Sequence, residues 1–133
     1  DDHTLIDASA AGVFAWLDAL ERTFAAVHLF GFSQGGVMAV QLARLDPARF
    51  SSIAHLSSFV HKGELPRDGE LAARKLPLLQ TFGRSDDVIA ADKRDRSMPW
   101  LDDHFDVERH WYQRGHSVVP EEIDDVVAFL NRV

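Results

Sequence analysis

The apolar run Ala26-Val27-His28-Leu29-Phe30 passes through Gly31-Phe32-Ser33-Gln34-Gly35 into a second apolar stretch ending at Leu45. Few folds accommodate that succession. A short apolar run closed by glycine has the form of a strand buried on both faces of a parallel sheet. Residues 37–45 are apolar nearly all round and are stopped by Asp46-Pro47, which reads as a buried helix starting near Gly35. Ser33 therefore falls at a sharp strand-to-helix junction, where a serine backbone is strained and its hydroxyl stands free above the carboxyl edge of the sheet. Gly31 and Gly35, two positions to either side, are expected to let strand and helix approach without Cβ clashes. The plain alternative is a Ser-Gly turn that only connects two elements.

The rest of the chain supplies a matching framework. Residues 4–24 carry Leu5, Ile6, Val13, Phe14, Leu17, Leu20 and Phe24 at helical spacing, with Asp18, Glu21 and Arg22 between them. Strand patterns occupy 52–58, 76–82 and 107–112, and helical patterns 91–104 and 121–132. Such alternation argues for an α/β fold: a mostly parallel sheet covered by helices on both faces. Residues 60–75, with Gly63, Pro66 and Gly69, have no clear period and read as a loop placed to line a pocket.

Composition sets limits on partners. A chain of 133 residues that is 46% hydrophobic supports one domain with a buried core. Its apolar stretches fall far short of the ~20 residues needed to cross a bilayer, so no membrane span is expected. A net charge of −7 with scattered acids leaves no basic patch for phosphates, which argues against nucleic acid as a partner. The absence of cysteine excludes disulfides, a thiol nucleophile and thiolate metal sites. It leaves the compartment open, with the cytoplasm as default. The oligomeric state is not encoded in any feature of the sequence.

A serine hydroxyl is a weak nucleophile at neutral pH and needs an imidazole base oriented by a carboxylate. In a strand-turn-helix arrangement of this type both lie downstream, the acid before the histidine, on loops following later strands. Gly83-Arg84-Ser85-Asp86-Asp87-Val88-Ile89 follows one strand, and Gln113-Arg114-Gly115-His116 follows the last. Periodicity does not separate Asp86 from Asp87. Of the seven histidines, His28 and His55 lie inside strands and read as structural. His104 and His110 flank Asp106 without the spacing of a metal site. The backbone N–H of Gln34, at the positive end of the following helix, is a candidate oxyanion donor. Asp102-Asp103 and Asp124-Asp125 read as solvated helix faces. Phe59, Val60 and Leu65, at the irregular segment, are candidates for contact with an acyl chain or for core packing.

Gly31-Phe32-Ser33-Gln34-Gly35-Gly36, the Gly83/Asp86/Val88/Ile89 pattern and Gly115-His116 before Val119-Pro120-Glu121-Glu122-Ile123 appear in register. In these segments the chain resembles the phospholipase/carboxylesterase family of α/β-hydrolases, the group of acyl-protein thioesterases and small bacterial carboxylesterases. The resemblance implies a serine esterase or thioesterase acting on a small ester or thioester substrate. It implies a catalytic triad of Ser33, Asp86 and His116, with Asp86 preferred over Asp87, and requires no cofactor or metal. Full members of the family begin with further strands and a His-Gly loop that supplies a second oxyanion donor. Nothing of that kind precedes Asp1, so the resemblance implies that residues 1–133 are the C-terminal part of the fold. The strand around 26–30 is then expected at an exposed edge, prone to pairing. Two other readings stand beside this one: a same-fold hydrolase of lactones or amides, and a non-catalytic fragment that pairs with a missing segment or partner.

Overall fold

A computed structural model describes residues 3–133; Asp1 and Asp2 lie outside the described residues. The elements alternate as expected: α1 (Thr4–Ala19), β1 (His28–Phe32), α2 (Gln34–Leu45), β2 (Ser52–Leu56), α3 (Asp68–Arg74), β3 (Leu76–Gly83), α4 (Ala91–His104), β4 (Phe105–Tyr112) and α5 (Pro120–Arg132). The four strands form one sheet in the order β1-β2-β3-β4, every neighbouring pair parallel. Parallel neighbours require a crossover connection, and each crossover here contains a helix. All four strands consequently deliver the chain to the same edge of the sheet.

Two apolar layers hold the sheet. On one face Ile53 and Leu78 of the strands meet Ala39, Val40 and Ala43 of α2, Leu71 of α3 and Leu101 of α4, with Ala10 of α1 packed into the same cluster. On the other, Ala54, Leu56 and Leu79 meet Val126 and Phe129 of α5. Alternation along β2 and β3 sends successive side chains into the two layers, which is why all five residues of β2 are buried. Helices thus cover both faces.

Several sequence expectations need adjustment. The first helix stops at Ala19, because Leu20 turns into extended backbone (φ −66°, ψ 132°), and Phe24 is 53% exposed. β1 runs from His28 to Phe32 and is not buried on both faces: it lies at the edge of the described sheet, with Phe30 53% exposed. The segment 60–75 contains α3, two turns anchored by the buried Leu71. The buried face of α2 also takes in polar side chains. Arg44 pairs with Asp68 at 2.8 Å and donates to the carbonyls of His61 and Gly63, while Gln41 donates to Asp7. Arg44 and Gln41 are thus paired, as burial of such groups demands.

Candidate active site

The turn that carries Ser33 follows from two close approaches. A Cβ on Gly31 would lie 2.2 Å from the carbonyl carbon of Gly35, and one on Gly36 would lie 2.6 Å from Cβ of Ser58. At Gly35 nothing lies within 4 Å. The steric need expected at Gly31 is therefore met, whereas the one expected at Gly35 belongs to Gly36, because Gly35 contributes its backbone to the contact with Gly31. Ser33 adopts φ 56° and ψ −121°, a region that non-glycine residues enter rarely and at a cost of roughly 1–3 kcal/mol. The surroundings hold it there. Its N–H donates to the Leu56 carbonyl at 2.8 Å, and its carbonyl accepts from the Ser58 hydroxyl at 2.5 Å.

Ser33 is also the N-cap of α2. A serine in that position ordinarily turns its hydroxyl onto the first helical turn. Here no side-chain cap bond forms, and Ser33 Oγ instead lies 3.0 Å from Nε2 of His116, 83 residues later in the chain. Nδ1 of His116 lies 2.8 Å from Oδ2 of Asp86. An ionised carboxylate only accepts, so Nδ1 carries the proton and Nε2 is left as the acceptor for the serine hydroxyl. Phe32 packs against the imidazole, with ring centroids 4.7 Å apart.

The second oxygen of Asp86 is held as well, since Oδ1 accepts from the N–H of Val88 at 2.9 Å and of Ile89 at 3.2 Å. Burial pushes this carboxyl upward. The hydrogen bond to His116 and the two backbone N–H groups outweigh that effect and hold Asp86 below the usual carboxylate range. Asp87, by contrast, is exposed. The three side chains come from the carboxyl ends of β1, β3 and β4, the shared edge created by the parallel topology.

A cavity of about 750 Å³ opens beside the serine, between α1 and the first turn of α2. Leu5, Ile6, Met38 and Phe59 give it apolar walls, and Ser33 and Gln34 lie at its polar end. Gln34 is the first residue of α2, so its N–H has no intrahelical acceptor. Of the other acyl-contact candidates, Val60 is buried in the core and Leu65 borders a separate hollow with Trp100 and His104. His28 bonds Ser52 at 2.6 Å, and His55 is fully buried in β2. Two supporting residues escaped the sequence reading. Ser58 carries no motif of its own; Arg114, directly before Gly115-His116, is a buried arginine that only its distant partners explain. Among the described residues no group of His, Asp and Glu side chains is arranged to hold a metal ion, and no helix is long and apolar enough to cross a membrane.

A parallel sheet with helices on both faces and a serine at a strand-to-helix turn defines an α/β-hydrolase fold. The family model described as Phospholipase/Carboxylesterase matches residues 4–133, and the chain belongs to that family. It is 30% identical to acyl-protein thioesterase 1 of Mycosarcoma maydis over 97% of this chain and 57% of the relative. It is 32% identical to the protein of the same name from Gibberella zeae, over 80% of this chain and 47% of that one. The chain thus spans about half the length of these relatives. Among solved structures, Zea mays acyl-protein thioesterase 2 superimposes with a TM-score of 0.82 at 28% identity, covering 99% of this chain and 66% of that one. A carboxylesterase from Mesorhizobium loti shares the fold, with a TM-score of 0.79 at 19% identity over 98% of this chain and 63% of its own.

Proposed function

We propose that the chain carries the acyl-transfer centre of a serine esterase or thioesterase. The observation that supports this most directly is the position of His116, 3.0 Å from Ser33 Oγ on one ring nitrogen and 2.8 Å from Asp86 on the other. In this reading His116 takes the Ser33 proton as Oγ attacks the carbonyl carbon of an ester or thioester. Asp86 keeps the imidazole in the productive tautomer and stabilises the imidazolium. The Gln34 N–H donates to the developing oxyanion, a contact worth on the order of 3 kcal/mol in a transition state. His116 returns its proton to the departing alkoxide or thiolate, leaving an acyl group on Ser33. A water that gives a proton to His116 then attacks the acyl-enzyme, and His116 passes that proton to the departing Ser33 Oγ as the carboxylic acid is released. The apolar cavity beside Ser33 suits an acyl chain, in keeping with relatives named acyl-protein thioesterases.

The test is labelling of the chain with a fluorophosphonate, together with hydrolysis of short p-nitrophenyl esters and acyl thioesters. Wild type is expected to label and turn over; Ser33→Ala and His116→Ala are expected to do neither. Equal labelling of folded Ser33→Ala overturns the assignment. A second reading has its own observation. The exposed β1 edge, with Phe30 in solvent, belongs to a chain that spans about half of its relatives. On that reading the chain works only after pairing with another segment, and a folded wild type that does not label favours it.

A further inference from the structure

We propose that the buried Arg114–Glu122 pair is the positioning device that sets His116 against Asp86 and Ser33. The proposal rests on the acyl-transfer reading of those three residues. Arg114 stands two residues before His116, and its side chain is 2% exposed; that of Glu122, in the first turn of α5, is 0% exposed. The guanidinium grips the carboxylate with two parallel bonds along one edge, Nε to Oε1 at 2.6 Å and Nη2 to Oε2 at 2.5 Å. Its remaining nitrogen, Nη1, donates to the Gly115 carbonyl at 2.8 Å, fixing the peptide that leads into His116.

The pair reaches the acid loop as well. The main-chain carbonyl of Arg114 accepts from the N–H of Ser85, the neighbour of Asp86, at 3.0 Å. The two loops are so close that a Cβ on Gly83 would lie 2.4 Å from that carbonyl and 2.7 Å from Nη1. Glu122 anchors the assembly to the sheet, because Thr81 of β3 donates its hydroxyl to Oε2 at 2.5 Å. One side-chain pair therefore joins β3, α5, the Asp86 loop and the His116 loop.

Stability alone is a poor reason for this construction. Two charges withdrawn from water lose hydration that their mutual attraction barely restores, and apolar side chains of similar volume commonly stabilise a core as well or better. Apolar side chains cannot donate to the Gly115 carbonyl. What the ion pair supplies is direction: a planar group fixed by two bonds along one edge leaves the remaining nitrogen no freedom. A base that must stay within hydrogen-bond reach of two partners gains from such a fixed footing.

The experiment compares the double variant Arg114→Met/Glu122→Leu with wild type, Arg114→Lys and Ser33→Ala in the same chain. Melting temperature, fluorophosphonate labelling rate, kcat and KM on a thioester, and the downfield proton resonance of His116 Nδ1–H are measured. The double variant is expected to melt within about 5 °C of wild type. Its labelling rate and kcat are expected to fall about 10- to 100-fold at nearly constant KM, with the Nδ1–H resonance shifted or broadened. Arg114→Lys, which keeps the charge and loses the fork, is expected to show a smaller loss of the same kind. A folded double variant with wild-type rates and resonance overturns the inference. If the double variant does not fold, wild-type rates and resonance in Arg114→Lys overturn it instead. A Ser33→Ala protein that still labels removes the underlying acyl-transfer reading, a result separate from either of these.

Discussion

The Ser58 hydroxyl donates to the main-chain carbonyl of Ser33 at 2.5 Å, tying the chain just beyond β2 to the turn at the end of β1. Together with the Ser33 N–H to Leu56 carbonyl bond, it braces a backbone with φ 56° that would otherwise relax. Ser58→Ala removes one donor from a carbonyl that still accepts from the Gly36 N–H at 3.0 Å, and is expected to cost about 0.5–1.5 kcal/mol in urea unfolding. It is also expected to slow fluorophosphonate labelling. A variant with unchanged stability and labelling rate would show that the turn needs no such brace.

The glycines of the turn separate by what surrounds them. Gly31→Ala places a methyl group 2.2 Å from backbone atoms of Gly35, and Gly36→Ala places one 2.6 Å from Ser58. Both are expected to lower stability by at least about 1–3 kcal/mol, Gly31→Ala the more because backbone cannot step aside. Gly35→Ala meets open space and is expected to fold like wild type. Thermal melts of the three variants check the order.

Asp86→Asn preserves shape and removes the charge that selects the His116 tautomer. On the acyl-transfer reading a fall in kcat on the order of 10⁴ is expected, the loss typical of a triad carboxylate replaced by its amide. Asp87→Asn is expected to change the rate little, since Asp87 is exposed and the carboxylate against His116 is that of Asp86. Because Asp86 is held below the usual carboxylate range by the hydrogen bonds it accepts, those bonds to its charged form stabilise the fold above that range, and the contribution is lost as pH falls through the depressed value. Comparing acid unfolding of wild type and Asp86→Asn measures this contribution.

Complete burial pushes the His55 imidazole from 6.5 down to about 4, against the raising pull of its hydrogen bond to the Phe59 carbonyl. Between those values the unfolded chain binds a proton that the folded chain refuses, so stability falls as pH drops from 6.5 toward 4, by about 3 kcal/mol in all. The urea midpoint is expected to follow this slope. His55→Leu is expected to flatten it, and an unaltered slope in that variant would assign the effect to other groups.

Phe59 walls the cavity beside Ser33, its ring 4.7 Å from the Lys93 ammonium. Phe59→Ala lengthens the apolar space, and the ratio of kcat/KM for long over short acyl esters is expected to rise by about 10- to 100-fold. A panel of p-nitrophenyl esters reads this directly. An unchanged ratio would move the acyl chain out of this cavity.

Much of the framework was legible because it is periodic or local. The pattern over residues 91–104 coincides with α4, and the glycine-flanked serine announces its own turn. The short helix α3 was not legible: two turns give one buried apolar residue, Leu71, too few for a period to emerge. The edge position of β1 was not legible from the apolar run itself, since Phe30 has the same character in solvent as in a core. It followed from the resemblance alone. Arg44 and Arg114 carried no signal of their own in the sequence, because their partners Asp68 and Glu122 lie 24 and 8 residues away. Adjacent carboxylates at 86 and 87 have no periodic difference; the family pattern alone favoured Asp86, and it is Asp86 that lies against His116.

The strands lie across the sheet in the order in which they occur along the chain. Synthesis therefore delivers the hydroxyl of Ser33 first and the imidazole it meets 83 residues later. A chain still emerging from the ribosome holds the strand-turn-helix of Ser33 well before it holds His116, so on the acyl-transfer reading the serine stays chemically quiet until β4 and α5 have docked. Reactivity of Ser33 is then a clock for the last event of folding: in a refolding experiment, labelling is expected to appear with the final kinetic phase, after the helical signal of α2 has already been regained.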